Sequence, residues 1–452
     1  MGPPAKRFNY WTSLDAALAS QQSVYLFLKM AKKEIIQKAK GMRDILTMEY
    51  LRRQKIIERA QTIASFYGFK PVQTPHLEKT ELFTAAVGEN TDIVEKEMYE
   101  LKTKGGDKLA LRPELTAPLV RAYLEYGMHT APQPVMFYSY GSCFRHERPQ
   151  KGRSREFQQF DLEILGEENS IADATVIKTL LAILEEAANL KNLSIRINSI
   201  GCKECRPVYK KELIAYYRKK INSLCPTCRK RLKTNPMRLL DCKNEKCVEL
   251  KQEAPQIINH LCKECTAHFK NLLETLDAAE IPYYLDHYLV RGLDYYTRTV
   301  FEINTENEPL EIGGGGRYDD LAKLLGDKSV PGTGAAFGLD RVLSIMPNKE
   351  KISENQKPPK VFLIQLGEDA RRKSLLIIET LRKAKISIGH SLNKDSLKSQ
   401  LKIANKIKAP YTLILGQKEF LENTILLRDM NTASQETIPL PKLADFLKKK
   451  IK

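Results

Sequence analysis

What this sequence lacks narrows it first. No apolar run approaches the roughly 20 residues that a membrane-spanning helix requires, so a membrane-embedded chain is not expected. The first residues hold one short apolar patch, Val24-Tyr-Leu-Phe-Leu28, without the layout of a secretion signal, and a cytoplasmic protein is expected. Cysteine is scarce outside one zone: of nine, eight fall between Cys202 and Cys265. Reducing cytosol disfavours four disulfides there, which leaves metal ligation or structural thiols. Negative charge is short as well, with 55 Asp and Glu against 73 Lys and Arg, a formal net charge of +18. Such a surplus suits a polyanionic partner, nucleic acid foremost, although a lysine-rich composition by itself produces it too.

The 452 residues suffice for two or three domains. Residues 1–40 form an extension to which no role can be given, and Met30 is an alternative start. Between about 48 and 67, Ile56, Ile57, Ala60, Ile63, Ala64 and Tyr67 fall at helical spacing, which predicts an amphipathic helix. A turn and short strand follow at 68–75, then short strands and turns from 109 to 165 with a helix after Pro113. Residues 202–268, with the cysteine pairs among basic helical segments, look like an insertion. Strand patterns return from 283 to 345. The polar stretch 347–359 is bracketed by prolines and contains a linker at 351–359, which bounds a first domain at 41–350. From 360 to 452, the runs Val361 to Leu366, Ile386-Ser-Ile-Gly and Tyr411 to Gly416 alternate with helices. That alternation predicts a small α/β domain with a mostly parallel sheet, ending in a basic helix.

Three separated stretches concentrate polar chemistry. They are Leu111-Arg-Pro-Glu-Leu-Thr-Ala-Pro118, the run from Phe144-Arg-His-Glu-Arg148 to Glu163, and Gly313-Gly-Gly-Gly-Arg-Tyr-Asp319 with Gly332 to Arg341 downstream. An arginine at a strand end can fork onto a phosphate with two parallel hydrogen bonds, and surface ion pairing is the plainer alternative. Arg341 opens a helix whose first backbone amides also suit an anion. Four successive glycines serve either a flexible turn or close approach of backbone to ligand. A fourth stretch, Leu289-Val-Arg-Gly-Leu-Asp-Tyr-Tyr-Thr-Arg-Thr-Val-Phe-Glu302, places two arginines, an aspartate and a tyrosine pair before a β-type run, the make-up of a pocket wall.

Taken together these stretches resemble a class II aminoacyl-tRNA synthetase. Pro75 would end its first motif, Phe144-Arg145-His146-Glu147 is similar to its second and Gly338-Leu-Asp-Arg341 to its third. LVRGLDYYTRTVFE and GGGGRYDDL resemble the signatures of the histidyl-tRNA synthetase family, over residues 41–452. The resemblance implies an α+β fold: a six- to seven-stranded antiparallel sheet core flanked by helices, a helical cysteine-rich insertion and a C-terminal α/β anticodon-binding domain. It implies ATP with Mg²⁺, L-histidine and tRNA(His) as ligands and partners, a homodimer, and attachment of histidine to tRNA through a histidyl-adenylate.

By the same resemblance, Glu114, Thr116 and Gln159 hold the α-ammonium group. The alternative for the first two is a helix cap after Pro113. Glu163 and Tyr296 read the imidazole ring, while Tyr295 and Tyr318 shape the pocket wall. Arg145 and Arg291 meet the α-phosphate. Glu147 and Arg341 bind ATP, with Arg153 and Arg155 near the phosphates or the tRNA end. Gln158 and Leu115 depart from the residues usual in the family without removing a charged contact. Rival readings are a non-catalytic paralogue, which usually lacks an anticodon domain, and a synthetase for another amino acid.

The cysteines go beyond that resemblance, because synthetases of this type do not in general need zinc. Cys202/Cys205, Cys225/Cys228, Cys242/Cys247 and Cys262/Cys265 supply eight thiols, enough for two tetrahedral zinc sites. The nearest pairing by sequence joins 225/228 with 242/247 and leaves 202/205 with 262/265. The alternative is a helical insertion whose cysteines are simply small buried residues. Contact of the insertion with the tRNA acceptor stem is a further expectation.

Overall fold

A computed structural model describes residues 35–148, 154–305, 308–346, 359–393 and 396–451. Most of the N-terminal extension, Arg153 and nearly all of the expected linker lie outside the described residues. The chain divides into two compact units, Met1–Pro347 and Asn348–Lys452.

The first unit is built on strands β1 (Lys70–Pro71), β5 (Val135–Phe144), β6 (Glu156–Leu165), β7 (Leu193–Ser199), β8 (Tyr284–Leu285), β9 (Thr297–Thr305), β10 (Glu308–Arg317) and β11 (Gly332–Gly338); β2 (Leu77–Lys79), β3 (Tyr99–Lys102) and β4 (Lys108–Leu111) form a separate small sheet. The main sheet has eight strands in the order β1-β5-β6-β11-β10-β9-β7-β8. The stretch from β5 to β7 pairs antiparallel, as expected. The two extra edge strands pair parallel and are two residues each, too short to be read from alternation.

Period-two alternation gives this sheet two unlike faces. Phe160, Leu162 and Ile164 of β6, Ile195 and Ile197 of β7, and Phe301 and Ile303 of β9 are buried in one apolar cluster. They meet Ile56, Ile57, Ala60 and Ala64 of helix α1 (Thr47–Phe66), the residues the helical spacing singles out, together with α3 (Ile171–Ala182). Helix α2 (Thr116–Glu125) lies in a second cluster. Burying each large side chain contributes roughly 1.5–3 kcal/mol, so the helical side is where this sheet is anchored. The intervening residues of β6, Gln159, Asp161 and Glu163, face the other way and form a polar floor, its surface given by Gln159 and Glu163 with Asp161 buried between them.

The insertion folds as helices α4 (Cys205–Lys219), α5 (Pro226–Thr234), α6 (Glu245–Lys251) and α7 (Lys263–Ala278). It shares the second cluster with the floor's surroundings: Tyr209, Leu213, Leu232 and Leu240 pack in the same core as Leu289, Tyr295, Tyr296 and Tyr318. A last helix of this unit, α8 (Leu339–Ile345), follows β11.

The second unit has a five-stranded sheet, β13-β12-β14-β15-β16, from β12 (Val361–Gln365), β13 (Ile388–His390), β14 (Tyr411–Leu415), β15 (Thr424–Asp429) and β16 (Gln435–Pro439). Val361, Leu363, Leu413 and Leu415 pack with α9 (Glu368–Lys383) and α11 (Leu443–Lys450), while Phe362, Ile364 and Ile414 pack with α10 (Leu397–Lys406). Burial on both faces explains the unbroken apolar runs. The sheet is mixed rather than mostly parallel, because β15 and β16 pair antiparallel. The connection 416–423 is too short for the crossover that a parallel neighbour needs. No helix among the described residues is long and apolar enough to cross a membrane.

Candidate active site

A cavity of about 950 Å³ opens over the polar floor, bounded by β6, β9, β10, β11 and the segment 288–296. It brings together Glu114, Thr116, Arg145, Glu147, Gln159, Glu163, Arg291, Tyr295, Tyr296, Tyr318 and Arg341, from stretches scattered over more than two hundred residues of sequence. The glycines make room for this. A Cβ at Gly334 would stand 1.6 Å from Glu163 Oε2, and one at Gly314 2.9 Å from Arg291 Nη1. The four-glycine run is therefore strand β10, used for close approach, and not a flexible turn.

The floor is a nest of buried acids. Glu163 Oε1 accepts from the Thr116 hydroxyl at 2.6 Å, and Oε2 accepts from the Tyr318 hydroxyl. Burial and then the neighbouring Asp161 charge push the Glu163 carboxyl well above its ordinary range, although both hydroxyls oppose the shift. Glu114 is 1% exposed. It accepts the backbone N–H groups of Thr116 at 2.9 Å and Ala117 at 3.0 Å, and the Tyr295 hydroxyl at 3.3 Å. Glu114 thus takes the first amides of α2 as the helix-cap alternative expects, and it also lines the cavity. Burial raises its pKa while the two amides and Arg145 hold it down. Asp161 accepts Gln159 Nε2–H at 3.0 Å, which leaves the Gln159 carbonyl as the acceptor that amide presents. Tyr295 packs its ring 4.8 Å from Tyr296 and 5.8 Å from Tyr318. Burial pushes Tyr296 up to about 12, so its phenol is a neutral donor at physiological pH.

The cations stand at the rim of this nest. Arg145, just past the end of β5, donates from Nε to Pro113 O at 2.9 Å and stacks its guanidinium 5.3 Å from the Phe157 ring centre. Arg291 Nη1 donates to Glu302 at 3.0 Å and Glu311 at 2.6 Å. Burial would lower its pKa, but those two carboxylates outweigh it and raise it. Arg341 Nη1 reaches the Glu311 carbonyl at 2.9 Å. Arg155 does not line this cavity. It borders a smaller one with Lys40, His146 and Arg148, and donates to Glu147 O at 3.3 Å and Lys40 O at 3.2 Å.

Several residues of the site escape a sequence reading. Asp161 carried a usable signal, the i, i+2, i+4 series with Gln159 and Glu163. Glu302 and Glu311 carried none, since only the β9–β10 register puts them beside Arg291. Asp340 holds the β6 side of the site by accepting Gln158 N–H at 3.0 Å while pairing with Arg53 at 2.5 Å and Arg43 at 2.6 Å. The insertion also contributes cavity wall, through Arg231, Arg238, Asp241, Cys242 and Lys243.

The eight insertion thiols gather in two tetrads, Cys202/Cys205/Cys262/Cys265 and Cys225/Cys228/Cys242/Cys247, the sulfurs of each within 4.8 Å of one another. Cys202 Sγ lies 3.6 Å from Cys205 Sγ and 3.9 Å from Cys262 Sγ, and Cys225 Sγ lies 3.9 Å from Cys242 Sγ. A tetrahedron with metal–sulfur bonds of about 2.3 Å has edges of about 3.8 Å, whereas a disulfide needs about 2.05 Å. The separations suit four ligands of one metal and exclude a disulfide between these pairs. Backbone N–H groups also point at sulfurs: Cys262 N at Cys205 Sγ, 3.1 Å, and Cys228 N at Cys225 Sγ, 3.4 Å. Burial works against the thiolates of Cys202 and Cys225, yet such hydrogen bonds bring both down to about 7.

The antiparallel sheet with its buried acidic pocket rimmed by arginines, in a chain that continues into an α/β unit, is the architecture of the class II aminoacyl-tRNA synthetases, and similarity to known proteins places the chain there. Residues 41–342 match the family model described as histidyl-tRNA synthetase, and residues 360–450 match an anticodon binding domain. The chain belongs to the histidyl-tRNA synthetase family. It is 42% identical to histidine–tRNA ligases of Desulfitobacterium hafniense over 419 residues, covering 92% of this chain and 99% of the relative, and of Dehalococcoides mccartyi over 417 residues, covering 92% and 100%. The crystal structure of apo S. aureus histidyl-tRNA synthetase superposes with a TM-score of 0.73 at 32% identity, covering 92% of this chain and 100% of that one.

Proposed function

We propose that the cavity performs the family's reaction, joining L-histidine to ATP as histidyl-adenylate with loss of pyrophosphate, then passing histidine to tRNA(His) with loss of AMP. The observation that carries the histidine reading is a buried acceptor, Glu163, at the same cavity as a neutral phenol donor, Tyr296. Neutral imidazole has one N–H and one bare nitrogen, so the two complement it, and a side chain lacking either group leaves a buried partner unpaired. Glu163 already takes two hydroxyls, but a carboxylate has about four lone-pair sites, so a third donor fits. Glu114, Thr116 and the Gln159 carbonyl suit the three N–H donors of the ammonium group, with Tyr295 and Tyr318 as walls.

The substrate carboxylate is ionised at neutral pH, so no general base is required. Rate then comes from alignment and from charge stabilisation at phosphorus, which we assign to Arg145 and Arg291. Glu147 and Arg341 would hold the nucleotide, with Arg153 and Arg155 toward the phosphates or the tRNA end. Glu302 and Glu311 are hard oxygen donors of the kind Mg²⁺ takes, and the ion would neutralise phosphate charge. The C-terminal unit would contact the anticodon, the insertion the acceptor stem, and the chain would act as a cytoplasmic homodimer. The tetrads fit Zn²⁺, which when bound would cross-link the insertion. Metal analysis of protein purified without chelator tests this: below half an equivalent per chain removes the idea.

The deciding experiment is histidine-dependent exchange of pyrophosphate into ATP, run against the other amino acids. Histidine alone should support it, and Arg291→Ala should nearly abolish it with the fold retained. Near-normal exchange in that variant contradicts the assignment.

A further inference from the structure

We infer that the cysteine-rich insertion is the rear clamp of the segment that reads the substrate, so that metal in the tetrads and a ligand in the pocket stabilise one another. This rests on the zinc and histidine readings above. Residues 286–296 carry Arg291, Tyr295 and Tyr296 but contain neither helix nor strand. A stretch without a regular ladder needs its backbone polar groups held by something else. Strand β7 and the segment itself hold part of it, through Asp286 N–H to Ile197 O and Asn198 Nδ2 to Leu289 O, and the insertion holds two carbonyls and two side chains. Arg238 Nη1 donates to Arg291 O at 3.2 Å, and Arg206 donates to Tyr296 O. Asn235 Nδ2 donates to Asp294 Oδ1 at 2.9 Å. Tyr288 of the segment donates to Gln252 O at 2.8 Å and Ala254 O at 3.2 Å.

Each of these groups lies beside a tetrad in sequence. Arg206 follows Cys205, Asn235 and Arg238 sit between Cys228 and Cys242, and Gln252 follows Cys247 by a turn of helix. Helices α5 and α6 are nine and seven residues long, below the length at which helices hold themselves in water. The N-cap of α5 is the Cys225 sulfur itself. A metal shared by Cys225, Cys228, Cys242 and Cys247 would thus hold both helices and, through Arg238, the carbonyl of the residue assigned to the α-phosphate. Cys242 and Asp241 also line the cavity directly. Coupling between two sites is reciprocal in binding free energy: where metal in the tetrad favours the pocket arrangement of Arg291 and Tyr296, a ligand that fixes that arrangement raises metal affinity by the same factor.

The test uses the full-length zinc-loaded protein and measures its equilibrium zinc affinity by competition with a chromophoric chelator, with and without a saturating non-hydrolysable histidyl-adenylate analogue. Zinc affinity of the wild type should rise roughly fivefold, at the lower end of ordinary coupling. Arg238→Met keeps all eight thiols. It should retain the wild-type zinc content yet lose the analogue's effect on zinc affinity, while amide exchange across 289–296 speeds up. An analogue that binds the wild type without changing zinc affinity overturns the clamp, as does full coupling in Arg238→Met. Protein that holds no zinc, or an analogue that does not bind, instead removes the reading on which the clamp rests, and the clamp with it.

Discussion

The two units of the chain bury polar side chains in opposite ways. The first buries charge: Glu114, Asp161, Glu163, Asp173, Arg112 and Arg317 all lie at or below 1% exposure. Among the described residues of the second unit, the buried polar side chains are all neutral, namely Gln365, Ser374, Ser391, Gln400 and Thr412. Its charges stay outside, as with Lys448, Lys449 and Lys450 at the end of α11. Taking an ion out of water costs several kcal/mol even after relaxation. Under the proposed function, the unit that grips a small zwitterion accepts that cost, and the unit that contacts a polyanion has no reason to. Within the first unit the buried charges divide again. Asp173 is matched by Arg317 Nε at 3.1 Å and His268 at 2.7 Å, and that set braces the fold away from the cavity. Asp161 and Glu163 form no ion pair among the described residues, where Arg112 and Arg145 act on Asp161 only at longer range, and Asp161 Oδ1 has no hydrogen-bond partner among them either.

The largest expected effect comes from breaking the matched set. Arg317→Met leaves Asp173 buried beside a single histidine, and denaturant unfolding of the first unit should show a loss of about 3–5 kcal/mol. A loss below about 1 kcal/mol would mean that water reaches Asp173 and that the pairing is incidental.

Glu163→Gln sharpens the comparison by acting with the opposite sign. A carboxyl whose folded pKa is raised stabilises the fold least at high pH: its contribution is complete below the unfolded value of about 4.3 and falls as pH rises through the folded one. The variant should therefore melt higher than the wild type at neutral pH, with the gap widening from pH 4 upward, while histidine activation drops by roughly tenfold to a hundredfold through loss of a charged acceptor. A gap that does not change with pH would show that Glu163 titrates normally.

The smallest effect belongs to the second unit. Gln400 Nε2 donates to Gln365 O at 2.8 Å, and its carbonyl accepts Gln365 N–H at 3.2 Å, with both residues buried. Gln400→Leu should destabilise only that unit's transition, by about 1–3 kcal/mol, and leave histidine-dependent pyrophosphate exchange untouched. Reduced exchange would mean that the amide pair supports the first unit as well.

Much of this was legible in the order of residues. Helix α1 follows from Ile56, Ile57, Ala60 and Ala64, and β12 from its unbroken apolar run, because local spacing reflects local burial. The cysteine tetrads assembled as the nearest pairing predicts, since three CxxC loops and one CxxxxC loop leave few alternatives. By contrast, β15 and β16 and the sheet-edge pairs went unread, and so did the partners of Arg291.

By itself, then, the sequence determined which chemistry is present: acids, phenols and guanidinium groups in motif-like stretches, and eight thiols in one insertion. Only the tertiary structure decided what that chemistry is worth. It set Glu163 among Thr116, Tyr318 and Asp161, turned Glu302 and Glu311 onto Arg291, and placed the insertion behind the segment carrying Tyr296. The reason is physical. The charge state of a carboxyl and the reach of an arginine depend on desolvation and on neighbours brought close through space, and neither is a property of adjacency along the chain.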